Sequence, residues 1–396
     1  MKSPDAARPR HVPRRLERCF SILDLRSIAR ARLPAPIFHY LEGGADDEST
    51  LRRNTTVFDD FDLLADALVD VSRIDTGTTL LGRRIDVPFF LGPTGLTRLF
   101  HHEAEPAVAR AAARCGTFYS LSTLGSTSIE DIARASSGPK IFQIYVLKDR
   151  ELTREFITRC RSSGYDALCL TIDTPVAGNR ERDRVTGMTL PPRFTPKSLL
   201  SFALRPRWAM NLLLHPQFRL ANVAHRVDAI GDSLVSVIDY VNAQMDRSVS
   251  WRDVEWLAAE WAGPLILKGI QSVRDAERAV GSGVTALMLS NHGGRQLDGA
   301  VAPIDLVRDV RAAIGDRLEI IVDGGIRRGT HILKALALGA NACSIGRPYL
   351  YGLASGGERG VDRALALLKA EVERDLALIG CRSVAELSAR HVRRRG

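Results

Sequence analysis

The chain has 396 residues, of which 45% are hydrophobic and 26% are charged, as in an ordinary soluble protein with a sizeable core. It contains no apolar run of about 18 residues and no N-terminal secretion signal, so neither a membrane span nor export is expected, and the predicted location is cytoplasmic. The net charge of +9 lies in the two ends, with +6 over residues 1–32 and +4 over residues 382–396. Nucleic-acid binders carry positive charge on a folded face instead, which argues against that function.

The cysteines are scattered and form no C-x-x-C pair. We therefore expect reduced thiols, with neither a disulfide nor a metal site. They are Cys19, Cys115, Cys160, Cys169, Cys343 and Cys381.

The N-terminal region differs in pattern from the rest of the chain. Residues 1–20 are predicted to be a disordered basic tail, and residues 21–390 a single domain. The segment "SILDLRSIARARLPAPIFHYLEGG" has helical spacing of apolar residues and ends in Gly43-Gly44, which predicts a helical preface.

From about residue 85 onward, a short apolar run, a turn and an amphipathic stretch recur. The amphipathic stretches, such as "ELTREFITRCRSSG" and "GTHILKALALGA", are typical of helices. The predicted strands are 87–95, 116–123, 140–146, 167–173, 264–269, 286–291, 319–325 and 342–348. Eight strand–helix units predict an α/β fold of the (β/α)₈ TIM-barrel type. A doubly wound sheet is the alternative, but no G-x-G-x-x-G follows the first strand and no P-loop motif occurs.

A long insertion, residues 185–227, follows the fourth strand. It contains six Arg or Lys residues and no Asp or Glu, and it is rich in large apolar residues, with one Trp, three Phe and eight Leu. This composition is typical of a surface that lies on anionic lipid, while a soluble lid over the active site is the alternative.

Polar residues recur where the predicted strands end. In barrels of this kind the active site is built at the C-terminal ends of the strands. The sixth strand runs into "LSNHGGRQLD", which contains a histidine, two glycines and an arginine. The candidates at the strand ends are Thr94, Ser122, Gln143, Tyr145, Thr171, Asp173, Lys268, His292, Arg295, Asp323, Gly346 and Arg347.

The motifs "PTG", "FQIYV", "TIDTPVAGNRERD", "LILKGI", "SNHGGRQLDG", "DGGIRRG" and "IGRPYLYGL" occur in chain order. With them the chain resembles the FMN-dependent L-2-hydroxy acid dehydrogenases and oxidases over about residues 20–390. Within this family, "YLEGGADDE", "PTG" and the long insertion are most similar to the bacterial L-lactate and (S)-mandelate dehydrogenases.

The resemblance implies a role for each matching residue. His292 would be the general base, held by Asp173, because an imidazole titrates near neutral pH. Arg180 and Arg295 would bind the substrate carboxylate, since a guanidinium matches a carboxylate with two parallel hydrogen bonds. Tyr40 and Tyr145 would donate hydrogen bonds to the substrate, and Tyr145 is also placed in the catalytic set.

The same resemblance implies an FMN site. Lys268, a catalytic candidate too, would place a positive charge beside the edge of the flavin ring that becomes negative on reduction. Backbone N–H groups after the seventh and eighth strands would bind the phosphate, with Arg327 and Arg347 as charged partners. The full cofactor set is Pro93, Thr94, Gly95, Ser122, Gln143, Thr171, Lys268, Ser290, Asp323, Gly324, Gly325, Arg327, Gly346 and Arg347.

The implied reaction is oxidation of an L-2-hydroxy acid, L-lactate or (S)-mandelate, to the 2-oxo acid. Hydride transfer and prior abstraction of the α-proton both fit the residues, and we favour hydride transfer. Gly95, where oxygen-using members often have alanine, favours a dehydrogenase that reduces quinone over an oxidase that makes peroxide. Leu124 and Ala177 favour a pocket that admits more than lactate.

Other interpretations remain open. One is a flavin-free phosphate-binding barrel, such as an aldolase or isomerase, and another is a non-catalytic binding protein. The family resemblance further implies a homotetramer. The insertion, over residues 190–222, suggests a peripheral position on the inner face of the cytoplasmic membrane.

Overall fold

The computed structural model describes residues 14–188, 194–214, 220–223 and 243–395. Its strands are β1 (Phe61–Leu63), β2 (Thr78–Leu80), β3 (Arg83–Ile85), β4 (Phe89–Thr94), β5 (Tyr119–Ser122), β6 (Lys140–Ile144), β7 (Ala167–Thr171), β8 (Leu265–Ile270), β9 (Ala286–Ser290), β10 (Glu319–Asp323), β11 (Ala342–Ile345) and β12 (Val392–Arg394). Strands β4 to β11 pair in parallel in sequence order, and β11 pairs with β4 to close the barrel. The predicted TIM barrel and its eight strands are confirmed.

Helices cover the outside of the barrel and its two ends. The 3₁₀ helices are Val57–Asp60, Thr97–Leu99, Val384–Glu386 and Ala389–His391. The α-helices are Arg14–Glu17, Ile22–Arg32, Ala35–Glu42, Ser49–Thr56, Ala104–Arg114, Ile129–Ala135, Arg150–Ser162, Glu181–Thr186, Pro196–Ala203, Pro206–Leu214, Trp251–Trp261, Val273–Ala279, Pro303–Ile314, Gly329–Ala337 and Arg347–Ile379, the last kinked at Gly356-Gly357. No helix among the described residues is both long and apolar enough to cross a membrane.

The barrel strands are apolar on both faces, which is why they read as continuous hydrophobic runs. Alternate residues, such as Phe90, Phe118 and Ile266, fill the interior, and the hairpin β2–β3 adds Leu80 and Ile85 to the same buried cluster. The other residues of each strand, such as Phe89 and Leu91, pack against the helices in the larger core. The barrel interior is therefore a packed apolar core, and the polar residues of the strands lie at its rim.

The strand register brings the polar strand ends to one level. Thr171 pairs with Lys268, and Asp323 pairs with both Ser290 and Ser344. Ser122 pairs with Gln143 on the other side of the barrel. Because parallel strands all end at the same rim, these side chains surround one opening.

The N-terminal region is more ordered than the sequence analysis anticipated. The predicted helical preface is two helices, Ile22–Arg32 and Ala35–Glu42, because Pro34 lacks the N–H group that a continuous helix needs. Residues 1–13 of the predicted tail lie outside the described residues, but Leu16 and Cys19 are buried in the core. The ordered chain thus begins before residue 21.

The C-terminal basic residues also belong to the fold. Strand β12 pairs antiparallel with β1. Arg393 and Arg395 form ion pairs with Asp62, and Arg394 forms one with Asp305. The positive charge of this end is therefore largely neutralised within the domain, beyond the boundary predicted at residue 390.

Gly325 is expected to be essential for docking the helix Ser49–Thr56 on the barrel rim. A Cβ at this position would overlap the backbone carbonyl of Asn54, and its φ of +75° disfavours any side chain. We expect Gly325→Ala to lower the free energy of unfolding by roughly 3 kcal/mol, combining overpacking and backbone strain. Urea denaturation checks this value. The matched control is Gly281→Ala, at φ +88° with open space around it, which isolates the strain. Equal losses for the two variants would contradict the packing argument.

Candidate active site

A buried cluster of charged residues lies at the C-terminal rim of the barrel. The Lys268 ammonium, on β8, lies 4.0 Å from Oδ2 of Asp173 and 3.8 Å from Oδ2 of Asp323. Asp173 follows β7 and Asp323 ends β10, so carboxylates from two other strands balance one ammonium. Gly269, at φ +112°, lies against Asp173, where a side chain would overlap the Cβ of the aspartate. The cluster therefore depends on a glycine next to the lysine.

His292 follows β9 and is held from two directions. Its Nδ1 lies 2.9 Å from Oδ1 of Asp173, and its backbone N–H donates to Oγ of Ser290. Its backbone has a φ of +56°, which is uncommon for a residue other than glycine. Since the Asp173 carboxylate can only accept, we assign the hydrogen to Nδ1, which leaves the lone pair on Nε2. Nε2 is then the atom able to accept a proton.

The charges of this cluster set its protonation states. Burial lowers the pKa of His292, and the Lys268 ammonium lowers it further, so the ring is neutral at pH 7. Burial alone would raise the pKa of Asp173, but Lys268 and His292 outweigh it and bring this pKa to about 2. Burial opposes the charge of Lys268, yet Asp173 and Asp323 raise the pKa of this ammonium above its usual value. The site holds a neutral base beside a permanent cation.

Two arginines meet over the ring of Tyr40. The guanidinium carbons of Arg180 and Arg295 lie 5.2 and 5.1 Å from its centroid. Arg295 donates from Nη1 to the carbonyls of Tyr40 and Gly43, which fixes its plane. Burial and the nearby Arg180 lower the pKa of Arg295 to about 9, so it stays charged at neutral pH. An anion bound between the two guanidiniums would relieve their repulsion, as the predicted carboxylate clamp requires.

Tyr145, which follows β6, lines the same cavity. Burial raises its pKa to about 12, so its hydroxyl keeps the proton and can act as a donor. This agrees with the predicted role of a hydrogen bond to substrate.

These groups face one cavity of about 690 Å³. Its lining contains every predicted site residue except Asp173 and Ser290. Both lie behind it: Asp173 orients His292, and Ser290 donates to Oδ2 of Asp323. The structure thus brings the predicted residues together at one mouth of the barrel.

The cavity fits the FMN that the sequence implies. Gln143 accepts from Ser122 through Oε1, while its buried Nε2 has no partner among the described residues and is available to a ring carbonyl. The buried hydroxyl of Ser344 is likewise unpartnered there. Gly346 leaves open space, since a Cβ at this position would have only the Thr94 methyl group within 4 Å. Buried polar atoms without partners are costly, so they mark where a polar ligand binds.

Arg347 has a contact pattern that the sequence did not indicate. Its Nε, Nη1 and Nη2 donate to the carbonyls of Leu41, Gly293 and Gly43. It therefore ties the helix Ala35–Glu42 to the His292 loop as well as lining the predicted phosphate end. Arg327 has one such bond, to its neighbour Ile326, and is the freer phosphate partner.

Sequence reasoning missed several residues of the cavity. Asp183 is buried beside Arg180, with Nε to Oδ2 at 3.3 Å, and Arg184 and Arg247 also line the cavity. The run "RERDR" at 180–184 was a usable signal, because helical spacing places residues 180 and 184 on one face. Arg247 carried no such signal, since it belongs to no predicted strand, helix or motif.

Comparison with known proteins agrees with this geometry. The family model "FMN-dependent dehydrogenase" matches residues 29–394. An (S)-mandelate dehydrogenase of Pseudomonas putida is 40% identical over 95% of this chain and 94% of its own length. An L-lactate oxidase of a Nostoc species is 41% identical over 93% of this chain and 96% of its own. The crystal structure of a monotopic membrane protein, (S)-mandelate dehydrogenase, superposes with a TM-score of 0.92 at 39% identity, covering 96% of this chain and all of the other.

The lowered pKa of His292 predicts the pH dependence of the reaction. A general base must be neutral, and its folded pKa lies below the usual value of about 6.5. We expect kcat/KM to be constant from about pH 6.5 to 8, to fall below this range as the ring becomes protonated, and to fall towards pH 9 as Arg295, with a pKa of about 9, loses its charge. Asp173→Asn should lower kcat/KM by about a hundredfold or more, because the ring loses its orienting partner. Steady-state kinetics from pH 5 to 9 measure both effects.

Asp316→Asn is the control for this measurement, since Asp316 is fully exposed and lies outside the cavity lining. An acid limb above pH 7 in the unmodified protein would contradict the electrostatic argument.

Proposed function

The chain belongs to the family of FMN-dependent dehydrogenases, and from this premise we propose that it oxidises L-lactate to pyruvate and passes the electrons to a membrane quinone. That it is an FMN-dependent enzyme acting on 2-hydroxy acids follows from its family and relatives. The observation that carries the proposal is the meeting of His292, Lys268 and the Arg180–Arg295 pair at one cavity.

The chain's own residues bind and orient the substrate. Arg180 and Arg295 take the carboxylate, which distinguishes a 2-hydroxy acid from a plain alcohol. Tyr145 and Tyr40 lie on the cavity wall as hydroxyl donors. Nε2 of His292 accepts the hydroxyl proton, and Asp173 stabilises the imidazolium that results. FMN, which Lys268, Gln143 and Ser122 would help to hold, would supply the two-electron acceptor for oxidation of the α-carbon.

The side-chain pocket is compatible with both candidates, L-lactate as the proposed substrate and (S)-mandelate as the second. Leu124 and Ala177 line it with apolar surface, and the small side chain of Ala177 leaves room beyond a methyl group. A Cβ at Gly95 would lie 3.1 Å from the Cβ of Leu124, so the glycine keeps this wall free of crowding. Gly95 also favours the dehydrogenase over the oxygen-using alternative, as the sequence indicated.

The insertion supports delivery of electrons at a membrane. One side of its described part docks on the barrel: Trp208 donates to the carbonyl of Leu99, and Ser201 accepts from the backbone of Ala35. The other side exposes large apolar residues, interspersed with Lys197 and Arg207. They are Leu199, Leu200, Leu204, Met210, Leu213 and Leu214. Such a surface binds anionic lipid, which supports a peripheral position on the inner face of the membrane. A homotetramer, as the family resemblance implies, is part of the same proposal.

The proposed reaction is tested by anaerobic reduction of the purified, yellow holoenzyme. We expect L-lactate to bleach the flavin absorbance and the D-isomer to leave it unchanged, because the clamp and the base fix one face of the α-carbon. (S)-Mandelate measures the second candidate. Reoxidation is then followed with a soluble quinone analogue and with oxygen, and faster reoxidation by the quinone is expected. Colourless protein would favour a flavin-free barrel, and rapid peroxide formation would favour an oxidase.

The membrane contact is tested by co-sedimentation with vesicles of phosphatidylglycerol and of phosphatidylcholine. We expect binding to the anionic vesicles that weakens with salt, and a large loss of binding in the variant Leu199→Gln, Leu200→Gln, Leu213→Gln, Leu214→Gln. Removal of residues 190–222 should have the same effect. The matched control is Leu68→Gln with Leu378→Gln, two exposed leucines outside the insertion. Equal sedimentation of all these proteins would favour the lid interpretation.

A further inference from the structure

Two arginines at the mouth of the cavity have no partner among the described residues. Arg184, on the helix Glu181–Thr186, and Arg247, which follows the insertion, both line the cavity and are exposed. Neither side chain makes a hydrogen bond or an ion pair within the described chain, although ion pairs are abundant on this protein. An unpaired arginine on a cavity wall is available to a ligand.

The charged residues next to Arg184 and Arg247 do form ion pairs, so the lack of a partner is particular to these two arginines. Arg180 pairs with Asp183, and Arg182 pairs with Glu48, so Arg184 is the unpaired arginine of its helix. Beside Arg247, Asp246 is bound by Arg150 and accepts from Ser248.

The backbone leading to Arg247 is also fixed on the rim. Lys148 donates from its backbone to Gln244 and from its side chain to Ala243. Met245 forms a bridge with Leu147. Both arginines are therefore placed by their neighbours while their own guanidiniums stay free.

Arg184 and Arg247 are the two cations of the cavity lining that have neither an acidic partner nor a proposed ligand group. Its described lining carries seven Arg or Lys residues but two acids, Asp183 and Asp323. Lys268 is balanced by Asp173 and Asp323, and Arg180 and Arg295 serve the substrate carboxylate. Arg327 and Arg347 stand at the predicted phosphate end, where FMN brings about two negative charges. The remaining positive charge belongs to Arg184 and Arg247.

Arg184 is also at a useful distance from the clamp. Arg180 is the N-cap of the helix Glu181–Thr186 and Arg184 lies in its last turn, about one helical turn, roughly 5 Å, farther along the axis. The cavity lining also includes the apolar residues Leu124, Ala177 and Met245. A short carbon chain anchored by its carboxylate at the clamp can lie along this lining and end near the free guanidiniums.

We propose that Arg184 and Arg247 form a second anion site, which binds the far end of the substrate and extends the enzyme's range to L-2-hydroxy diacids. The site recognises a carboxylate at the end of the substrate side chain. It uses the same oxidation at the α-carbon and adds no chemical step. The inference rests on the proposed oxidation of 2-hydroxy acids at this cavity.

The test compares two acids of equal carbon number, L-2-hydroxyglutarate and L-2-hydroxyvalerate, as reductants of the holoenzyme flavin. We expect the diacid to have the larger kcat/KM. Each of Arg184→Gln and Arg247→Gln should reduce the ratio of diacid to monoacid by about threefold, and the double variant by about tenfold, as for exposed ion pairs. The ratio should also fall with added salt, because exposed charges are screened. The control is Arg252→Gln, an exposed arginine outside the cavity lining, which should keep the ratio.

A binding measurement separates this site from the proposed reaction. The flavin absorbance is titrated with 2-oxoglutarate and with 2-oxovalerate, in the unmodified holoenzyme and in the double variant. Tighter binding of the diacid that disappears in the double variant supports the anion site, even where no hydroxy acid reduces the flavin and the proposed function fails. Reduction by L-lactate together with equal binding of the two oxo acids overturns the anion site and leaves the proposed function standing.

Discussion

The active end of the barrel depends on the pairing of one buried ammonium with two carboxylates. Lys268 is almost wholly buried, and a buried charge without a partner costs several kcal/mol. Its partners follow different strands, β7 and β10, so the ion cluster can form only when the barrel has closed in register. Once formed, the cluster leaves Oδ1 of Asp173 to hold His292, and Oδ2 of Asp323, which faces Lys268, also accepts from Ser290. The His292 ring, the proposed base, is thereby positioned by the same carboxylate that helps to neutralise Lys268.

The His292 loop shows how this cluster sustains an unfavourable backbone. A left-handed conformation at a residue other than glycine costs about 1 kcal/mol or more and persists only where its surroundings impose it. Ser290 accepts from the backbone of His292, and Asn291 accepts from that of Gly294. Asn291 is in turn paired with Asn54 through both side-chain amides. The helix Ser49–Thr56 thus supports the His292 loop.

The barrel and most of its site could be predicted because short local sequence patterns indicate both of them. Each strand is a continuous apolar run, and His292, Lys268 and Asp323 stand at the ends of such runs. What depends on tertiary packing could not be predicted. The helix break at Pro34 could have been predicted from the sequence. The contacts of Arg347 with three carbonyls could not, because they depend on how the N-terminal helices pack. The burial of Asp183 and the position of Arg247 in the cavity lining likewise depend on tertiary packing. The net charge of the C-terminal end likewise could not predict that its arginines form ion pairs with Asp62.

The distribution of cations across the cavity follows from the cost of desolvation. At the bottom, where water is excluded, the protein pairs Lys268 with its own acids, because no unpaired charge is stable there. Higher up, Arg180 and Arg295 are half-buried and only partly neutralised by Asp183, so a bound carboxylate completes them. At the mouth, Arg184 and Arg247 are hydrated by solvent and need no partner for stability. The cavity is therefore cationic from its mouth to its base, which raises the local concentration of anionic ligands along the path from the solvent to His292.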